Sequence, residues 1–180
     1  MDIAIGQLAA VPALSRPDLL APPVAAALAA LDGSADMVGV AEIDPALADT
    51  AAFCERYGVS PDASANCVVI TGRREGQVRY AACVVLATTR ADVNGVARRE
   101  LDVRKASFAA TEDAVAATGM EYGGITPVGL PAGWPVLVDA RVAATPLVVV
   151  GSGVRRSKLT LPGSLLAQLP GAAVIESLAR

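Results

Sequence analysis

A glycine-rich segment is the stretch of this sequence best suited to bind a ligand through its backbone. Residues 121–131 read Glu-Tyr-Gly-Gly-Ile-Thr-Pro-Val-Gly-Leu-Pro. Glycines at 123 and 124 allow a ligand to approach the main chain closely, and Pro127 restricts the backbone direction. Backbone N–H groups in such a loop can donate hydrogen bonds to a carbonyl oxygen. The alternative for this composition is an ordinary turn-rich connection.

Two more polar segments follow the glycine-rich segment. Asp139 ends an apolar run, where it could hold an amino group or order the glycine loop, although a surface ion pair with Arg141 is equally consistent with the sequence. Residues 150–156 read Val-Gly-Ser-Gly-Val-Arg-Arg. Arg155 and Arg156 in this run, and Lys158 shortly after it, are candidates for contact with phosphates, with a solvated turn as the alternative.

Several kinds of catalytic site are excluded by composition. The chain has no His, which excludes Ser-His-Asp and Cys-His catalysis and imidazole zinc sites. Its three cysteines (Cys54, Cys67 and Cys83) form no C-x-x-C pair, so neither a thiolate zinc site nor a disulfide framework is expected. Cys67 lacks a neighbouring base, which favours a buried structural thiol over a nucleophile. We therefore predict no metal and no cofactor.

The overall composition is that of one globular domain spanning 1–180. Of the 180 residues, 53% are hydrophobic but only 3% aromatic, which predicts an aliphatic core and no aromatic platform for nucleobases. Asp2 stands where an export signal needs basic residues, and the apolar stretch 19–31 is too short to span a bilayer. These features predict a cytoplasmic protein without membrane contact. A net charge of −3 argues against DNA binding.

The pattern of elements is mixed α/β. Two β-branched runs, 66–71 and 77–88, flank the glycine-bounded turn 72–76 and predict an antiparallel hairpin. Predicted helices cover 24–31, ended by Asp32-Gly33, then 46–57, capped by Asp44 and ended by Gly58, then 91–101, and finally 111–118, capped by Thr111 and ended by Gly119. A strand is predicted over 136–142.

The order of these segments resembles the YbaK/ProRS-associated family of aminoacyl-tRNA deacylases, over about residues 46–176. Residues 1–45 would then be an N-terminal extension. The Gly-Gly-Ile-Thr-Pro sequence of 123–127 is the most specific part of the resemblance. The other counterparts are the segments 46–59, 64–71, 80–88, 104–109, 111–118, 138–139 and 153–156.

The resemblance implies a fold, a site and an activity. The fold would be a curved, barrel-like mixed sheet flanked by helices. The implied catalytic residues are Gly123, Gly124, Ile125, Thr126 and Pro127, which would polarise the ester carbonyl of an aminoacyl-tRNA acceptor end. The implied substrate-binding residues are Asn66, Asp139, Gly153 and Arg155, around one cleft.

One departure from the family concerns charge. Asn66 stands where the family has a functional lysine, and the only lysines here, Lys105 and Lys158, fall in other segments, so the expected cation is missing. The preferred function is hydrolysis of mischarged aminoacyl-tRNA in trans. The alternatives are a non-catalytic module that binds tRNA or a small molecule, and a hydrolase for another small aminoacyl ester or amide. Oligomeric state is not predicted.

Overall fold

Two β-sheets surrounded by helices form the framework of the computed structural model, which describes residues 3–31 and 33–180. Over these residues the strands are β1 (Val11–Pro12), β2 (Gly39–Glu42), β3 (Ala65–Arg74), β4 (Gln77–Leu86), β5 (Ala106–Phe108), β6 (Val136–Asp139), β7 (Val148–Gly151), β8 (Ser157–Leu161) and β9 (Ala172–Ile175). Two residues used in the sequence predictions lie outside the described residues. They are Asp2, which argued against an export signal, and Asp32, which was predicted to end a helix.

Short helices connect the strands. They are α1 (Pro22–Ala29), α2 (Thr50–Tyr57), α3 (Arg98–Glu100), α4 (Thr111–Thr118), α5 (Ala140–Ala144) and α6 (Gly163–Leu166), with a π-helical turn at Val93–Ala97 and 3-10 turns at Ala13–Ser15, Pro17–Leu19, Ala35–Met37, Pro45–Leu47 and Pro61–Ala63. No helix of the described ranges is long and apolar enough to cross a membrane.

The sheets have the mixed character that the sequence predicts. One is antiparallel with strand order β1-β2-β8-β7, and the other has the order β5-β3-β4-β6-β9, antiparallel from β5 to β4 and parallel from β4 to β9. A parallel bridge between Ser64 and Val149 connects the two sheets. The α/β prediction is confirmed, although the strands of the described chain form two sheets and do not close into a barrel.

The predicted hairpin is confirmed, but the turn predicted over 72–76 is shorter, because residues 72–74 continue strand β3, and β4 ends at Leu86. Strands β3 and β4 pair antiparallel along their whole length, with Cys67 opposite Val84 and Arg74 opposite Gln77. Only Glu75 and Gly76 connect them, and both have positive φ, at 52° and 79°. Two-residue turns of this kind match the twist of paired strands, which explains why the register is fixed here.

The strand predicted over 136–142 is too long, because a helix begins inside it. Strand β6 ends at Asp139, whose side chain accepts a hydrogen bond from the Arg141 N–H at 3.0 Å and so caps α5. A carboxylate in this position satisfies an N–H that a helix start leaves unpaired. The apolar residues of 140–144 therefore continue as a helix.

Three predicted helices also differ at their N-terminal ends. Residues 45–47 form a 3-10 turn capped by Asp44, and α2 itself starts at Thr50 with Asp49 as its cap. Ala110, and not Thr111, precedes α4 as its N-cap. The helix predicted over 91–101 is a π-helical turn and one α-helical turn, capped by the Asp92 carboxylate. The glycine ends are confirmed, since Gly58 and Gly119 both adopt the left-handed conformation.

Candidate active site

A cleft of about 400 Å³ lies where β3, the glycine-rich loop and the ends of β7 and β8 meet. Its volume is within the range of small-ligand sites. The residues that line it are Ala48, Asp49, Thr50, Ala65, Asn66, Cys67, Val68, Val69, Phe108, Ala109, Thr111, Ala114, Tyr122, Gly123, Ile125, Gly151, Arg155 and Lys158. Both sheets contribute to this cleft, so residues distant in sequence face one space.

Main-chain hydrogen bonds attach the glycine-rich loop to the turn between β7 and β8. The Gly153 N–H donates to the Gly124 carbonyl at 2.8 Å, and the Glu121 N–H donates to the Gly153 carbonyl at 2.8 Å. A side chain at Gly124 would collide with the backbone of Val154, and one at Gly151 would collide with the Gly124 carbonyl. The loop is therefore placed by backbone packing that only glycine allows.

Two N–H groups of this loop are available to a ligand. The Gly124 N–H donates to the Glu121 carbonyl at 2.9 Å and is thus occupied. In contrast, the N–H groups of Gly123 and Ile125 have no acceptor among the described residues, and both residues line the cleft. Gly123 has a φ of +80°, a conformation that residues with a side chain rarely adopt.

The remaining members of the predicted loop do not line the cleft. Thr126 is completely buried, and its hydroxyl is the one buried side-chain polar atom of the described residues that lacks a hydrogen-bond partner. Gly124 and Pro127 are likewise absent from the lining. Within the predicted set of five, Gly123 and Ile125 are the residues that reach the ligand space.

Asn66 also lines the cleft and is oriented by α2. The Thr50 hydroxyl donates to Asn66 Oδ1 at 2.8 Å, which ties the start of α2 to β3. The amide nitrogen of Asn66 has no acceptor among the described residues, so it can donate to a ligand. Asn66 and Thr50 also line a second cavity, together with Cys54 and Glu55 of α2.

Asp139 was expected in the same cleft, but the structure places it elsewhere. Its carboxylate is fully buried and accepts hydrogen bonds from the Arg141 guanidinium at 2.8 and 3.0 Å and from the Ala179 N–H at 3.0 Å. Burial tends to raise the pKa of Asp139, but the bonds and charge of Arg141 and the Ala179 N–H outweigh it and lower that pKa. The carboxylate is thus engaged by the fold.

Arg155 and Gly153 have different positions. Arg155 lines the cleft, donates from Nε to the Pro45 carbonyl at 2.9 Å, and lies over the Tyr122 ring with its guanidinium 5.8 Å from the centroid. Gly153 is outside the lining, at a φ of +86°, with no room for a side chain beside Ala21. Arg155 joins the other predicted residues at the cleft, whereas Gly153 supports the turn behind it.

Lys158, which the sequence suggested as a phosphate contact without assigning it to the cleft, also lines the cleft. It extends from β8, donates to the Ala48 carbonyl at 3.3 Å, and places its ammonium 5.3 Å from the centre of the Phe53 ring. Burial and then the charge of Arg155 lower the pKa of Lys158, while Cys54 and Asp49 partly oppose this. The cleft therefore has a cation despite Asn66. One sequence signal pointed to it, namely that Lys158 is the lone charged residue of β8.

Cys67 also lines the cleft, on the strand next to Asn66. Burial, and secondarily the neighbouring Cys83, raises the pKa of the Cys67 thiol well above its usual value. A thiol that stays protonated is a weak nucleophile. The described residues also contain no group of three or more Cys, Asp or Glu side chains that could hold a metal ion.

A comparison with family models identifies one family, and comparisons with solved structures show a similar fold. The family model described as the aminoacyl-tRNA editing domain matches residues 44–169. A candidate trans-editing enzyme for prolyl tRNA synthetase has a similar structure, with a TM-score of 0.70 and 23% identity over 87% of this chain and 96% of that one. A hypothetical protein superimposes with a TM-score of 0.69 and 20% identity over 78% and 90% of the two chains. A comparison with curated proteins finds no match.

Proposed function

The chain belongs to the family of aminoacyl-tRNA editing domains, and we propose that it is a hydrolase that acts in trans on mischarged tRNA. The N–H groups of Gly123 and Ile125 carry this proposal, because neither has an acceptor among the described residues and both residues line the cleft. The structural similarity to a candidate trans-editing enzyme supports action in trans. The substrate would be the acceptor end of an aminoacyl-tRNA.

The chemistry requires a polarised carbonyl and a positioned water. The ester carbonyl oxygen accepts hydrogen bonds from the Gly123 and Ile125 N–H groups, which stabilise the negative charge that develops there. Water adds its oxygen to the carbonyl carbon, and the bond between that carbon and the ribose oxygen breaks. The ribose oxygen takes up a proton, and the amino acid leaves as a free acid. An aminoacyl ester is activated. Orienting the water and polarising the carbonyl therefore supply much of the rate acceleration that its hydrolysis requires.

Asn66 would orient the substrate within the same cleft. Its amide nitrogen can donate to an oxygen of the aminoacyl group or the terminal ribose, while its oxygen is held by Thr50. A neutral amide places a hydrogen bond without adding charge. Small amino acids differ by one methylene or hydroxyl, and binding alone discriminates poorly between them. A separate hydrolytic site can remove the wrong amino acid after it has been attached to the tRNA.

Deacylation of a panel of tRNAs mischarged with labelled small amino acids tests this function. We expect release of one or a few of these amino acids well above the spontaneous rate measured without protein. A second candidate, a module that binds tRNA without hydrolysing it, is favoured by the absence of the family's lysine at Asn66. Tight binding of the same tRNAs with no release above the spontaneous rate would replace the hydrolase with that module.

A further inference from the structure

Two buried serines connect the N-terminal part of the chain to the turn between β7 and β8. Ser152 follows β7 and is completely buried, and Ser157 begins β8 and is 1% exposed. The Ser157 hydroxyl donates to the Leu19 carbonyl at 2.6 Å, and the two serine hydroxyl oxygens are 2.7 Å apart. The Ala21 N–H donates to the Ser152 carbonyl at 3.2 Å. Neither serine lines the cleft, so both need an explanation other than contact with a substrate.

The single hydrogen of each hydroxyl gives these bonds a direction. Because Ser157 donates to the Leu19 carbonyl, its hydroxyl oxygen is free to accept from Ser152. That oxygen, at 2.7 Å, is nearer to the Ser152 hydroxyl than the Ser157 carbonyl at 3.0 Å or the Val154 carbonyl at 3.1 Å. The Ser152 oxygen in turn accepts from the Val154 N–H at 3.4 Å. The bonds therefore run from the turn, through the two serines, to the N-terminal part of the chain.

The same turn holds the glycine-rich loop. The Gly153 N–H donates to the Gly124 carbonyl, and the Arg155 N–H donates to the Glu121 carboxylate at 2.6 Å. Gly124 stands between the two residues whose N–H groups are available to a ligand. The turn is thus bonded to the loop on one side and to the N-terminal part of the chain on the other.

The N-terminal contacts of the serines lie outside the part of the chain that the family model matches. That model begins at residue 44, whereas Leu19 and Ala21 precede it. Both residues are buried, and a side chain at Gly153 would collide with Ala21. Residues 17–24, which we call the N-terminal segment, therefore pack directly against the turn, although none of them lines the cleft.

We propose that the N-terminal segment positions the glycine-rich loop through Ser157 and Ser152, which are positioning residues for the hydrolysis. Their effect on the reaction rests on the proposed function, whereas the link between segment and loop does not. Buried hydroxyls with fixed partners restrict where the turn can lie. A displacement of about an ångström in the groups that contact a substrate is enough to slow a reaction.

Hydrogen exchange tests the link without a substrate. The Gly153 N–H is bonded to the loop, so its exchange reports how often turn and loop separate. Amides of the β3–β4 hairpin provide the reference for global stability. Ser157→Ala is expected to speed the exchange of Gly153, relative to that reference, by about tenfold or more, because the buried partners of the hydroxyl lose it.

Thr160→Val is the matched control. Thr160 is also in β8, is completely buried, and donates to the Ile3 carbonyl at 2.7 Å, but it has no hydrogen bond to the turn among the described residues. This variant should lose stability and leave the relative exchange of Gly153 unchanged. Equal relative exchange in Ser157→Ala and Thr160→Val would overturn the positioning role, whether or not the protein hydrolyses tRNA.

Ser152→Ala and the double variant Ser152→Ala/Ser157→Ala test whether the two hydroxyls act together. Because they belong to one chain of bonds, the double variant should exchange at most about twofold faster than the faster single variant. Effects that multiply fully would contradict this coupling. If Ser157→Ala does not fold, Ser157→Cys retains a weaker donor of similar size and should show a smaller increase in the same direction.

Deacylation rates test the consequence for the reaction. Ser157→Ala should lower kcat about tenfold and leave KM nearly unchanged, because the loop N–H groups act on charge that develops in the transition state. Thr160→Val should retain the wild-type kcat per folded molecule. Faster exchange of Gly153 with an unchanged kcat would overturn the positioning of the reaction. Faster exchange in a protein that deacylates no mischarged tRNA would retain the link and reject the hydrolase.

Discussion

Asp139 has a buried carboxylate that is hydrogen-bonded by Arg141 and Ala179. It caps α5 through the Arg141 N–H, pairs with the Arg141 guanidinium and accepts from the Ala179 N–H near the end of the chain. Removing one partner of such a set leaves buried donors without an acceptor, which costs more than the bond itself contributed. The residue therefore joins β6, α5 and the C-terminal segment.

Asp139→Ala is accordingly expected to lower the free energy of unfolding by about 2 kcal/mol or more. For a protein of this size that corresponds to a drop of about 4–8 °C in melting temperature. Asp18→Ala is the matched control, because Asp18 bonds Arg16 at 2.8 Å but is exposed. An exposed ion pair contributes little, so its loss should change the melting temperature by a degree or two. Equal effects of the two substitutions would contradict the structural role of Asp139.

The lowered pKa of Asp139 also makes its contribution depend on pH. The carboxylate stabilises the fold fully above its unfolded pKa, near 3.8, and this stabilisation is lost as the pH falls through the lower folded pKa. The stability difference between wild type and Asp139→Ala should thus be constant near neutrality and shrink below about pH 4. Urea unfolding from pH 7 to pH 2.5 measures it. A difference in unfolding free energy that grows as the pH falls would contradict the predicted direction of the pH dependence.

The residues of the cleft differ in how well the sequence predicts them. The motif of 123–127 and the position of Asn66 are local in sequence, and the structure brings Asn66, Gly123 and Ile125 to one cleft. Lys158 is in another segment and reaches that cleft only because β8 packs beside β7 in the other sheet. The sequence suggested Lys158 only as one of three cations, with Arg155 and Arg156, that could contact phosphates, and no spacing along the chain predicts that its side chain reaches this cleft. For the same reason, the sequence placed Asp139 at the cleft although Arg141 and Ala179 engage it.

At the scale of elements, the site depends on how closely the glycine-rich loop packs on β7. Gly151 is in β7, and a side chain there would collide with the Gly124 carbonyl. Gly151→Ala should therefore displace the loop and lower kcat/KM for deacylation by about tenfold to 100-fold, since misplacement by an ångström is enough. Single-turnover rates on the preferred mischarged tRNA measure this effect.

Gly39→Ala is the control for that substitution. Gly39 is in β2 of the same sheet, and a side chain there would collide with the Thr160 hydroxyl, but Gly39 does not line the cleft. Both variants should lose stability, whereas only Gly151→Ala should lose activity per folded molecule. Equal activity of the two would show that loop placement by β7 is not required.

The elements themselves were predictable where local chemistry decides them. The hairpin of β3 and β4 follows from two β-branched runs around a glycine-bounded turn, although that turn is two residues long and not five, and the ends of α2 and α4 follow from Gly58 and Gly119. Where two local signals compete, prediction failed. The apolar run after 136 favours a strand, but Asp139 caps a helix inside it. The arrangement of the strands in two sheets depends on long-range pairing, such as that between Ser64 and Val149, which no local pattern contains.

At the scale of the whole molecule, charge is distributed unevenly along the chain. Residues 1–70 have two basic and nine acidic side chains, whereas residues 71–180 have thirteen basic and nine acidic ones. At the tip of the hairpin, Arg74 and Arg79 are paired with Asp102, but Arg73 and Arg104 are exposed and have no ion pair among the described residues. Both border a concave surface next to that tip. From the proposed function we expect this surface to contact the backbone of a tRNA acceptor stem.

Arg73→Gln/Arg104→Gln is expected to weaken binding of intact tRNA and to reduce the salt slope by about one for each phosphate that the variant no longer neutralises. Binding of the trinucleotide CCA, which represents only the single-stranded 3′ end of a tRNA, should not change, because these arginines do not line the cleft. Arg56→Gln, in the acidic part of the chain, serves as the control. Titrations at several salt concentrations provide the slopes. An unchanged slope for the double variant would place the acceptor stem on another surface.

The rate of deacylation by Gly123→Val, compared with wild type and Gly133→Val, tests the proposed hydrolysis at the glycine-rich loop. Gly123 and Gly133 have similar φ values, +80° and +83°, so valine strains both backbones alike. A side chain at Gly123 meets the Arg155 guanidinium beside the cleft, whereas Gly133 has no neighbour within 4 Å. In single turnover at saturating protein, we predict a loss of about 100-fold or more for Gly123→Val, the scale of losing an oxyanion donor, and wild-type rates for Gly133→Val. Deacylation by folded Gly123→Val at the wild-type rate would contradict the assignment of the loop as the catalytic element.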